Sequence, residues 1–275
     1  MSNAKYNIYA TLLDAWQDYQ QCDEIWEQYW GASDSPSISL SEYRERCKQE
    51  FIDKCNRKEF VSVVADRGTA FNDLIDRIIM ARRNESVLPK VHEDGRYHAL
   101  VMDRNTGLPK WKTPFKFDAD VVNAIADEYE KAQPQFYLSG DIGTFYGKVR
   151  LYGYADYITY NGVVDLKTTT SYSFPKFQNK WQRIVYPYLM DGTADYFNYK
   201  VVLFSPVKVA DEEKNTEAEI IAMNEQASVI KVFDEPYRYD HSHDTYRLIA
   251  TLERLIEFLE ENKNAITTSK IFSEQ

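Results

Sequence analysis

No apolar run in this chain approaches the roughly 18 residues needed to cross a bilayer. Its first residues, MSNAKYNIYATLLDAW, lack the basic and apolar blocks of a secretory signal. These absences speak against a helical membrane protein and against export. No Pro/Gly/Ser-rich linker, low-complexity tract or internal repeat divides the 275 residues. One domain over 1–275 is therefore expected, with an N-terminal helical part at about 1–83. Cysteine is scarce: Cys22, Cys47 and Cys55 are odd in number and lie among helix-like residues. That favours a reducing, cytoplasmic setting over a disulfide framework. Positive charge is also short, with 33 Lys and Arg against 43 Asp and Glu and a net charge of −10. Broad coating of nucleic acid and attachment to an anionic membrane are thus disfavoured, although a local basic stripe would still suffice for a nucleic-acid substrate.

What is present is apolar and aromatic: 44% hydrophobic residues and 15% aromatic, enough for a sizeable core. Bulky residues recur at helical spacing over 11–19, 23–30, 40–57 and 67–83, and a further helix is expected from Asp118 or Asp120 to about Lys131. The stretch 84–116 reads as irregular. From Gln135 the period changes to two, predicting strands over 135–139, 145–160 and 163–169, with a break near Gly140–Gly143. A helix over 173–190, strands over 196–206 and 228–239, and a helix over 245–263 complete a mixed α/β pattern.

Asn161-Gly162 is a strong hairpin signal. As a two-residue loop it sets Tyr160 against Val163, Ile158 against Asp165 and Asp156 against Lys167. Asp156, Asp165 and Lys167 then project from one side, while Tyr157, Val164 and Leu166 face a core. Two carboxylates about 5–8 Å apart suit a hard divalent cation. An adjacent ammonium can orient a water and offset charge growing on phosphorus. The plain alternative is a solvated Asp156–Lys167 ion pair worth under about 1 kcal/mol.

The surroundings favour chemistry. GYAD (153–156), VVDLKT (163–168), a helix and then Gln182-x-x-x-Tyr186 follow in an order that resembles the PD-(D/E)xK nuclease superfamily. The nearest likeness is its RecB and lambda-exonuclease-like branch. RGTAFNDLID (67–76) resembles that branch's first motif, and NIYATLLDAWQDY (7–19) its opening segment. The resemblance implies a restriction-endonuclease-like core, a mixed β-sheet flanked by helices, and hydrolysis of DNA with Mg²⁺ or Mn²⁺. It implies Asp156 and Asp165 as metal ligands, Lys167 as the catalytic lysine, and Gln182 and Tyr186 as strand-positioning residues. Asn72 occupies the position of the family's histidine and can offer an oxygen, but it cannot titrate near neutral pH. Asp76, one turn further on, is a second candidate ligand or equally a solvated helix charge, and Asp73 is a third.

On the expected helix 173–190, Lys176, Lys180 and Arg183 form a basic stripe that could hold phosphates, or an ordinary surface with snorkelling lysines. GTFYGKV (143–149) is one residue short of a phosphate loop, and His241-Ser242-His243 reads as a capping turn rather than a metal site. The scattered cysteines do not suit the iron–sulfur cluster carried by some relatives. The expected function is a metal-dependent deoxyribonuclease, an exonuclease of recombination, repair or phage DNA metabolism, with linear duplex or single-stranded DNA and a recombination or phage protein as expected partners. A catalytically idle binding module of the same fold is the rival. RNA stays open as a substrate, because nothing in the sequence reads a 2′-OH.

Overall fold

The period-two stretch that begins near Gln133 builds the centre of the molecule. The computed structural model describes residues 4–103, 105–191, 193–209, 214 and 216–273. In chain order the first half holds strand β1 (Tyr6–Tyr9), helices α1 (Ala10–Gln20), α2 (Cys22–Trp30), α3 (Leu40–Cys55) and α4 (Val63–Arg82), then strands β2 (Arg96–Ala99) and β3 (Phe115–Asp118) and helix α5 (Ala119–Glu128). The second half holds β4 (Gln133–Thr144), β5 (Gly147–Thr159), β6 (Gly162–Thr169), α6 (Gln182–Leu189), β7 (Tyr196–Phe204), α7 (Glu217–Gln226), β8 (Val229–Arg238) and α8 (His243–Glu261). The fold is a mixed α/β architecture: a six-stranded sheet in the order β1-β5-β6-β7-β8, with β4 paired to β5, flanked by helices. A separate two-stranded sheet joins β2 and β3. Among the described residues no helix is long and apolar enough to cross a membrane.

Strand β5, 13 residues long, organises the sheet. Along one edge β4 runs antiparallel to it, from Gln133 opposite Ile158 to Thr144 opposite Gly147. Its other edge is divided. Strand β1 runs parallel to it there, with Tyr6 opposite Val149 and Tyr9 opposite Tyr152, whereas β6 pairs antiparallel only with Tyr157–Thr159. Between these two partners, residues 153–156 have no strand beside them on that edge.

Helices cover the sheet because each carries an apolar stripe. One core joins Leu12, Leu13 and Trp16 of α1, Phe51 of α3, Ile184 of α6 and Leu252, Leu255 and Leu259 of α8 to Val163, Phe197 and Tyr199 of the strands. The other joins Phe71, Leu74, Ile75 and Ile78 of α4, Val122 of α5 and Phe115 and Phe117 of β3 to Tyr157, Val164 and Leu166. Helix α3 starts at a capping box, with Ser39 Oγ accepting from Glu42 N and Glu42 Oε2 accepting from Ser39 N. Helix α8 starts after a capping turn in which Asp240 Oδ1 accepts from the backbone N–H groups of Ser242 and His243.

Several elements differ from the reading of the sequence. The N-terminal part is not purely helical: Tyr6–Tyr9 join the sheet through backbone pairing that a four-residue run does not reveal. Strand β2 lies inside the stretch read as irregular and β3 straddles its end, and α7 has little amphipathic contrast. Strand β4 runs through Gly140 and Gly143 without a break. A Cβ on Gly140 would stand 3.0 Å from Leu189, so that glycine admits α6 against the sheet. The helix expected over 173–190 is confined to Gln182–Leu189, and 171–181 is an ordered loop. Buried Glu235 holds this loop by accepting from Phe177 N (2.9 Å) and from the Tyr172 hydroxyl. Asp14 of α1 holds its end by accepting from Trp181 N (2.7 Å).

Candidate active site

The hairpin between β5 and β6 turns one step earlier than its Asn-Gly pair suggests. Thr159 pairs with Gly162, Ile158 with Val163 and Tyr157 with Val164, leaving Tyr160 and Asn161 as the loop. Gly162 serves a different need: its φ is +151°, and a Cβ there would lie 2.0 Å from the Tyr196 carbonyl oxygen of β7. The shift is by two residues, so the alternation of faces is kept, and Tyr157, Val164 and Leu166 still enter the core. Continuing the register brings Asp156 opposite Asp165, rather than opposite Lys167.

At that point the two strands part. The Leu166 N–H, freed from the ladder, donates to Asp156 Oδ2 at 2.8 Å, and the Leu166 carbonyl accepts from Asn72 Nδ2 at 3.4 Å. Lys167 Nζ stands 2.7 Å from Asp165 Oδ2 and donates to Gln182 Oε1 at 2.8 Å, while Gln182 Nε2 donates to Asp165 Oδ1. Asp165 is only 2% exposed, so this is not a solvated ion pair. Burial, then the neighbouring Asp165, pushes Asp156 up to about 8. Burial alone would lower the Lys167 pKa, yet Asp165 and Asp156 outweigh it and hold the ammonium above its ordinary value.

A cavity of about 580 Å³ opens over this split. Its walls are the end of β1 and start of α1 (Tyr9–Thr11), Tyr152, Gly153, Tyr154 and Asp156 of β5, Asp165–Lys167 of β6, Asn72 of α4, and Gln182 and Tyr186 of α6. Tyr186 donates its hydroxyl proton to the Tyr154 carbonyl at 2.8 Å. It can do so because residue 153 is glycine: a Cβ there would fall 2.7 Å from Tyr186 Cε1 and 2.9 Å from its hydroxyl. The first residue of GYAD and the last of QxxxY are therefore one packing unit. Gly153→Ala is expected to cost about 1–3 kcal/mol by overpacking and to displace the Tyr186 ring. Thermal melts of the variant check this, and an unchanged melting temperature would show that the ring yields freely. Gly68 has a parallel use, since a Cβ there would lie 2.9 Å from Thr168 Oγ1, bringing α4 and hence Asn72 close to β6.

The other sequence candidates are placed differently. Asp76 does not line the cavity. It lies behind Asp156, 7% exposed, accepting from the Tyr157 hydroxyl and from Gln135 Nε2, both at 2.9 Å, and burial pushes it up to about 6. Asp73 is also absent from the cavity wall. Lys176, Lys180 and Arg183 do not form one helical stripe, because the helix that would align them begins only at Gln182. Arg183 is 9% exposed, donates to the Gln178 carbonyl at 2.6 Å and lies over Tyr237. Lys176 is tied to Thr169 Oγ1 and the Ser171 carbonyl, each at 2.6 Å. None of the three lines the cavity.

Cations do line it: Lys54, Arg57 and Lys58, from the end of α3 and the turn after it. Their signal in the sequence is the run KCNRK (54–58), a basic cluster in an acidic chain, but only the fold brings it to the carboxylates. Gln135 was equally hidden. It is the third residue of β4, with φ +48°, and donates to Asp76 and, at 3.4 Å, to Asp156. A non-glycine residue held in that backbone region within a strand marks a site where side-chain placement outweighs strain.

The donor set fits a hard cation in kind. Asn72 Oδ1 and Asp165 Oδ2 are buried with no hydrogen-bond donor, Lys167 standing near the latter without hydrogen-bond alignment. Among the described residues, no group of three or more His, Cys, Asp or Glu side chains is gathered that could hold a metal ion. Any such cation would therefore rely on two carboxylates plus amide, backbone, water or substrate oxygens.

No protein-family model matches the chain, and no curated protein does. Among solved structures, the crystal structure of SSO0001 is similar over 97% of this chain and 85% of its own, at 11% identity and a TM-score of 0.38. That likeness is too slight to carry a conclusion.

Proposed function

We propose that this chain is a Mg²⁺- or Mn²⁺-dependent deoxyribonuclease of the PD-(D/E)xK kind, hydrolysing phosphodiester bonds from DNA ends. The observation that supports it most is the set of buried Asp165 with half-buried Asp156 and Lys167 where β5 and β6 part, facing a cavity onto which the Asn72 amide oxygen brings no hydrogen bond of its own. A buried carboxylate with a second carboxylate and a cation drawn partly out of water beside it destabilises a fold more readily than it supports it. Such an arrangement is retained for chemistry.

In this reading Asp156, Asp165 and the Asn72 amide oxygen would hold the cation. When bound, it supplies Lewis-acid polarisation of the phosphate and an acidified water. Lys167, held between Asp165 and Gln182, stays protonated, so it orients the water and offsets phosphate charge rather than acting as a base. Gln182 fixes both residues, and Tyr186 holds the β5 backbone at Tyr154. The absence of a separate sequence-reading element favours action at ends.

The test supplies equal nucleotide amounts of linear duplex, single strand and closed circle, with Mg²⁺ or with chelator, and follows acid-soluble nucleotides. Release from linear DNA that needs the metal is expected, with closed circles spared. Discrete fragments from closed circles would mean an endonuclease. No metal-dependent release from any substrate would leave the idle binding module, which the lack of a third acidic ligand among the described residues favours.

A further inference from the structure

Tyrosines gather beside the carboxylates. Tyr152, Tyr154 and Asp156 alternate along β5 and so share a face of the strand. Tyr137 of β4 lies directly opposite Tyr154, and Tyr9 of β1 directly opposite Tyr152. The rings touch in sequence: Tyr137 to Tyr154 at 5.2 Å, Tyr137 to Tyr152 at 6.4 Å and Tyr152 to Tyr9 at 6.2 Å between centroids. A core cluster would be buried. Here Tyr154, on the cavity wall, is 59% exposed, and Tyr137 beside it is 48% exposed.

The far end of this row is cationic. Arg57 lies over the Tyr9 ring at 4.9 Å and donates to the Tyr152 hydroxyl. It holds a left-handed φ of +55° at the end of α3, where glycine is the usual residue. Lys54 is exposed on the same wall, whereas Lys58 is paired with Asp53 at 2.6 Å. Exposed aromatic faces flanked by a few cations, in a chain otherwise acidic, match the two parts of a nucleotide: a flat base and a charged phosphate.

We infer that Tyr154 and Tyr137 form a stacking platform for an unpaired nucleobase next to the scissile phosphate, with Lys54 and Arg57 receiving the backbone on its far side. The inference rests on the nuclease reading above and narrows it. Tyr154 stands two residues from Asp156, about 6.6 Å along the strand. A base on Tyr154 therefore belongs to a nucleotide adjoining the phosphate at the carboxylates. Bases inside a duplex are already stacked and paired, so the platform accepts only a single strand or a frayed end. This gives the proposed end preference a physical origin.

The experiment measures binding of a dye-labelled oligothymidylate, and of an abasic strand of equal length, to the Asp165→Asn protein so that neither is cut. The base-bearing strand is expected to bind about tenfold more tightly than the abasic one. Tyr154→Ala in that background should erase the difference, Tyr154→Phe should keep it, and Tyr137→Ala should reduce it. Lys54→Ala should weaken both strands alike and flatten the salt dependence. Equal binding of the two strands, or an unchanged difference in Tyr154→Ala, overturns the platform. If the parent still cleaves linear DNA in that event, only the platform falls. If the parent neither binds nor cleaves, the nuclease reading falls with it.

Discussion

Asp165→Asn is expected to lower metal-dependent DNA hydrolysis by about 10²–10³-fold or more, with the fold intact. The substitution is nearly isosteric, and its amide oxygen can still accept the hydrogen bond from Gln182 Nε2. What it removes is the negative charge that faces Lys167 at 2.7 Å and that a cation would share with Asp156. Lys167→Ala should abolish hydrolysis to a similar degree but carry a larger stability loss. It leaves Asp165, 2% exposed, without the ammonium beside it, and breaking a buried pair costs about 3–5 kcal/mol. Rates on linear DNA and thermal melts on the same preparations decide the matter. Parental cleavage by the asparagine variant, or its failure to fold, would remove Asp165 from the chemistry.

The second large effect concerns stability. Asp156→Asn should abolish hydrolysis while raising the melting temperature of the metal-free protein at alkaline pH. Burial, with Asp165 alongside, pushes the Asp156 carboxyl from the ordinary 3.8 up to about 8. A carboxyl with a higher pKa folded than unfolded keeps its proton better in the folded state. Ionising it therefore opposes folding, and the cost grows as pH climbs from about 4 toward about 8. Parent and variant should melt alike near pH 4. Near pH 8 the variant should melt higher by roughly 5 °C, the equivalent of about 2 kcal/mol for a chain of this size. Mg²⁺ or Mn²⁺ should then raise the parent and leave the variant unmoved, because a ligand stabilises only the state that binds it. A gap that does not change with pH would show that carboxylate burial is not its source.

Much of this was written in local order. Hydrophobic periodicity alone marked helices α1 to α5 and α8, and alternation marked β5 to β8, because these elements bury a face whose repeat is set by backbone geometry. The grouping of Asp156, Asp165 and Lys167 was legible for the same reason: alternation survives a register shift of two. The register itself was not, because Gly162 answers to the Tyr196 carbonyl of a strand more than thirty residues away and not to its own turn. The basic stripe on the helix after the hairpin also failed for a tertiary cause. Glu235 and Asp14 hold 171–181 as a loop, and Arg183 is drawn down against Tyr237.

The sequence by itself determined the α/β class, the aspartates and lysine that converge, and the glycine and tyrosine of motifs that turn out to touch. Tertiary structure alone decided what surrounds them. Gln135 under Asp156, the cations of 54–58 and the open row of tyrosines come from segments far apart in the chain. They meet because β5 is longer than either partner on its divided edge, and the gap left between β1 and β6 is where side chains from the surrounding helices and strands can reach the carboxylates.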